Sequence, residues 1–202
     1  MDQFSVFFTF YGLILGLAVT EILSSVSAYA RALPLRSMEV QSALLALLTF
    51  LVICATWIDA WLTRTDFSLN FASMWAPIGA ATAYFLAAAV VLPKERSDYE
   101  EMAAYFTSHK RFVIWMLIAA ELFVKVTYAP TFARQLATAP AVFWLYSLPL
   151  NVAILGLWFT LLFARRQPVI IIAALAQIFV FTTVYWWQGW INSMIKQAFG
   201  YA

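Results

Sequence analysis

The sequence predicts an all-α integral membrane protein: a six-transmembrane-helix bundle with a short amphipathic cytoplasmic helix between helices three and four. Three observations carry that expectation. Of 202 residues, 64% are hydrophobic and only 11% are charged, against ~45–50% and ~25% in soluble domains. No soluble core hides so much apolar surface, so lipid is the expected solvent. The apolar residues gather into six stretches, roughly 4–30, 40–63, 71–93, 111–130, 141–164 and 168–191. Each is long enough, at about 1.5 Å per residue, to cross a hydrocarbon core of ~30 Å. Turn-forming and charged residues separate the six, and 1–202 reads as a single membrane domain.

Helix one follows Met1-Asp2-Gln3, which carries no positive charge, so a cleaved secretory signal is not expected. Gly12, Gly16, Thr20 and Ser24 recur every fourth residue and stack on one side of the helix. Small residues at that spacing let another helix backbone come close inside a bilayer. Glu21 lies about 100° round from Thr20, with Ala18, Ser25 and Ala28 on its own face. An ionised carboxylate facing lipid costs several kcal/mol. Glu21 is therefore expected to face protein or water, and helix one to form the centre of the bundle. Pro34 and Arg36 end it.

Helix two contains Cys54, the one cysteine, which reads as packing, and ends at the Thr63-Arg64-Thr65-Asp66 turn. Helix three repeats the four-residue spacing at Gly79, Ala83 and Ala87 and ends at Pro93. Both small faces are expected at helix–helix contacts, within the bundle or between protomers. Ser97 and Glu100 have capping-box spacing. Asp98, Glu100 and Glu101 lie at the positive end of the helix dipole and His109, Lys110 and Arg111 at the negative end, and Tyr99, Met102, Ala103 and Phe106 form one apolar stripe. This pattern predicts an interfacial helix over roughly 98–108, with His109, the one histidine, as a solvated cap. Pro130 and Pro140 flank the fourth connection. Arg165-Arg166-Gln167-Pro168 is so short that helices five and six must form an antiparallel hairpin.

Orientation follows from lysine and arginine. Arg31, Arg36, Lys94, Arg96, Lys110, Arg111, Arg165 and Arg166 flank one boundary, and Arg64, Arg134 and Lys196 the other. Eight against three predicts cytoplasmic odd-numbered connections and two extracytoplasmic termini. Trp57, Trp61, Trp75, Trp144, Trp186, Trp187 and Trp190 gather at the outer ends. They read as an interfacial aromatic belt, with an outward aromatic ligand site as the functional alternative.

The ionisable residues inside the spans are Glu21, Asp59, Glu121 and Lys125. By helical rise, Glu21 lies roughly 6 Å and Glu121 about 14 Å from the cytoplasmic boundary, with Asp59 near the outer one. The four read as a ladder that a proton or cation pathway would need. Glu121 and Lys125 have the favourable i,i+4 order for an intrahelical pair, and Arg64 is expected to neutralise Asp59 by snorkelling. Glu21 is then the carboxylate left without a base, predicted to be buried against a polar group of helix two, four or five. The competing reading is a neutral, structural Glu21. Asn151, Gln177 and Gln188 are further polar positions for such a network.

A net charge of +2 without a basic run argues against nucleic acid. No metalloprotease, nucleophile-elbow, phosphate-loop or Cys-x-x-Cys pattern is present, so no catalytic residue, metal or cofactor is expected. Offsets of 100 between Glu21 and Glu121, and of 101 between Trp57/Arg64 and Trp158/Arg165, are too sparse to establish an inverted repeat. The expected setting is a bacterial inner membrane, and the expected partners are lipid and either further copies of the chain or other membrane proteins. Two roles remain: a non-catalytic subunit or scaffold, or a small proton- or cation-coupled transporter.

Overall fold

The computed structural model describes residues 3–32, 38–62, 71–95 and 101–199; side chains at 3, 32, 62, 71–73 and 185–199 lie outside the described set. The helices are α1 (Gln3–Ala32), α2 (Val40–Leu62), α3 (Phe71–Val91), α4 (Met102–Thr138), α5 (Pro140–Phe163) and α6 (Gln167–Phe199). All six contain stretches long and apolar enough to cross a membrane. Large apolar side chains face outward around the bundle, among them Leu13, Leu17, Val126, Leu145, Val152, Ile172 and Phe179. This is compatible with a helical membrane bundle, whose outer surface faces lipid.

The helix boundaries follow from a few residues. α4 is one continuous helix of 37 residues, about 55 Å long at the standard rise. This corrects the expectation of a separate interfacial helix over 98–108. From Met102 that segment is the first part of α4, while Ser97, Asp98, Tyr99 and Glu100 lie outside the described residues. Neither glycine nor proline interrupts 102–129. Buried Met102, Phe106, Lys110, Val113, Leu117 and Glu121 run in one helical phase across the expected junction.

α4 also passes through Pro130, expected to end it. That proline removes a single backbone donor, which a spanning helix tolerates. The helix stops before Pro140, because the residue preceding a proline is pushed out of helical geometry. Ala139 accordingly sits at φ −142°, ψ 57°. α5 begins on Pro140 and widens into a π turn over Phe143–Ser147, where the Leu148 N–H reaches back to the Phe143 carbonyl. The widened turn directly precedes Pro149, which has no N–H to donate. The α5–α6 connection is as short as expected: the Arg166 carbonyl accepts from the N–H groups of Val169 and Ile170.

α3 packs against α1, α2 and α4; α2 touches α1, α3, α4 and α6; and α5 pairs with α6. The centre is therefore the α2–α3 pair, which corrects the expectation that α1 holds it. Half of the apolar stretch of α3 is buried, against 28% for α1. Ala76, Ala80, Ala81, Ala83, Ala87 and Ala88 are all buried. Alanine lets three neighbours close on α3 at once.

Candidate functional site

α4 brings Glu121 into the interior at 4% exposure. One turn on, Lys125 Nζ lies 3.2 Å from Glu121 Oε2, so the intrahelical pair expected from the spacing is present. Across from it, α3 contributes Tyr84, fully buried among alanines. The Tyr84 hydroxyl and the Thr56 hydroxyl of α2 are hydrogen-bonded at 3.0 Å, and Thr56 also donates to the Val52 carbonyl at 2.9 Å. Tyr84 interacts electrostatically with Glu121, Asp59 and Tyr11, and Tyr11 in turn with Asp59 and Tyr128. Polar groups of four helices thus lie within electrostatic range of one another inside an otherwise apolar core. Rings of α1 and α2 also meet: Phe8 stands 5.4 Å from Trp57 and 5.5 Å from Trp61, centroid to centroid.

Glu21 does not join this cluster. It lies about 15 Å along α1 from Tyr11, and its Oε2 takes an ion pair and hydrogen bond from Lys94, in the segment just after α3. Both side chains are partly open, at 29% and 54% exposure. Three expectations are corrected: Glu21 is not deeply buried, it is not left without a base, and its partner comes from none of helices two, four and five. Lys94 follows the end of α3, and its long flexible stem lets the ammonium reach the Glu21 carboxylate on the neighbouring helix.

The remaining polar positions divide. Asn151 donates to the Ser147 carbonyl of its own helix at 2.7 Å, and Ser147 binds Gln135 of α4 at 2.9 Å. Gln177 is wholly buried, and among the described residues neither of its amide atoms has a hydrogen-bond partner. Arg64 and Asp66 lie outside the described residues, as do the side chains of Gln188, Lys196, Trp186, Trp187 and Trp190. Trp57, Trp61, Trp75 and Trp144 face outward at one end of the bundle, as a belt requires.

The two small faces also divide. Gly79 receives Phe123 of α4 so closely that a Cβ there would stand 3.0 Å from the ring, and Ala83 and Ala87 are buried. On α1, Gly12 is met by the Trp57 indole, 3.3 Å from where its Cβ would stand. Gly16, Thr20 and Ser24 instead face outward, and among the described residues nothing lies within 4 Å of a Cβ at Gly16.

Tyr11, Thr56 and Tyr84 were not anticipated as part of the site. A phenol alone in the run Ala80-Ala81-Thr82-Ala83-Tyr84 is the signal that would have found the last of them. Compared with known proteins, the chain matches no family model, no curated protein and no solved structure.

Proposed function

We propose that this chain is a non-catalytic subunit or scaffold of a bacterial inner membrane, oriented with both termini outside. In this reading it packs against another membrane protein, or a second copy of itself, through the outward ridge of α1. The observation that carries the reading is the open face at Gly16, Thr20 and Ser24. A mid-helix glycine costs about 1 kcal/mol relative to alanine. Gly79 recovers that cost by admitting Phe123; Gly16 has no such return within the described chain. A helix from outside, seated at close range, supplies it. The test is the assembly mass of the chain extracted in native lipid particles. Gly16→Leu should reduce that mass while the chain remains folded; an unchanged mass would remove the support for this role.

A second reading is favoured by a different observation, the ion pair that buried Glu121 makes with half-buried Lys125 inside the bundle. An ionisable pair at that depth suits a proton or cation path. Glu121→Gln should then abolish a pH-driven flux in proteoliposomes. Equal flux in wild type, variant and empty vesicles would exclude this reading.

A further inference from the structure

Where α2 and α6 begin and α5 ends, the helices leave a groove of about 570 Å3. Lys110 and Arg111 of α4 line it together with Arg165 of the α5–α6 turn. One carboxylate, Glu39, also lines it, so among the described residues three cations stand against one acid. Glu39 is partly engaged already, since Gln41 Nε2 donates to its Oε1 at 2.9 Å. Gln41 and Gln167 reach the groove from the first turns of α2 and α6. The positive dipole ends of two helices therefore border the same space. Lys110 is anchored by donating to the Ala164 carbonyl, which leaves two of its three N–H groups to offer.

The other walls are apolar. Phe106 and Leu162 are buried along the groove, and Phe163 continues the apolar wall outward at 70% exposure.

We propose that this groove binds the phosphate group of an anionic phospholipid. Guanidinium, ammonium and helix N-termini are the groups that recognise phosphate. The groove is built from helix ends, the depth at which headgroups lie, and basic pockets between spanning helices suit anionic headgroups. Inorganic phosphate shares the polar chemistry but has no use for the wall formed by Leu162 and Phe163. An acyl chain does.

The test uses the full chain in mild detergent, with phosphatidylglycerol, phosphatidylcholine or sodium phosphate added and bound lipid counted by native mass spectrometry. Phosphatidylglycerol should be retained in preference to phosphatidylcholine. Arg111→Gln and Arg165→Gln each remove an outward-facing cation and should weaken retention roughly fivefold per arginine. Arg134→Gln, at the opposite end of α4, should change nothing. Equal retention of the two lipids would overturn the proposal, and that comparison needs no variant. Undiminished binding by the folded double variant would overturn it too. Sodium phosphate competing as well as phosphatidylglycerol would assign the groove to free phosphate instead.

Discussion

Two small-residue faces with the same spacing have opposite fates in this molecule. Gly79, Ala83 and Ala87 on α3 are enclosed, and Phe123 sits where a side chain at Gly79 would stand. Gly16, Thr20 and Ser24 on α1 look outward. Each face has a carboxylate in its neighbourhood, and these diverge as well. Glu121, on the helix packed against α3, is buried and paired with a half-buried Lys125; Glu21, beside the α1 ridge, is itself partly open and meets an exposed Lys94. Spacing therefore makes a helix face able to accept a neighbour without stating which neighbour comes. On α3 the neighbour is part of the same chain. On α1 we propose that it is not.

The largest effect should come from the buried pair. Lys125→Met leaves Glu121 in the core without its base and should destabilise the fold by about 3 kcal/mol, read as a lower unfolding temperature in detergent. Adding Glu121→Gln should restore most of that loss, because no uncompensated charge then remains. Next comes the enclosed face. Ala87→Leu inserts three carbons into a fully buried position and should cost about 1–3 kcal/mol by overpacking. A silent Ala87→Leu would break the distinction between the two faces. Glu21→Gln should shift stability by less than about 1 kcal/mol, since its pair with Lys94 is partly open to solvent. A large loss there would place Glu21 with Glu121 rather than opposite it. Smallest of all, Gly16→Leu should leave the unfolding temperature of the isolated chain unchanged or slightly raised, because its side is open and leucine is the better helix former.

What the sequence made legible has a physical boundary. Six apolar stretches of spanning length have one solution in lipid, so their pattern alone places the helices. The Glu121–Lys125 pair was legible because both partners stand on one helix, four residues apart, where regular geometry fixes their distance. The partner of Glu21 was not, because Lys94 is 73 positions away and periodicity says nothing about which helices are neighbours. The same gap hid the Thr56–Tyr84 bond and misplaced the centre of the bundle on α1. The C-terminal end of α4 was placed too early for a local reason: two prolines lie near it, and only the second, acting on Ala139, stops the helix.

The most direct test of the central claim asks what touches Thr20. In a Cys54→Ser background, Thr20→Cys placed in native membranes and mildly oxidised should form a disulfide-linked product containing a second copy or another membrane protein. Adding Gly16→Leu should abolish that product, while Thr82→Cys, outward-facing on α3, should form none. A Thr20→Cys chain that stays monomeric and reacts freely with a lipid-soluble maleimide would show that the α1 ridge meets only lipid, and would contradict the account.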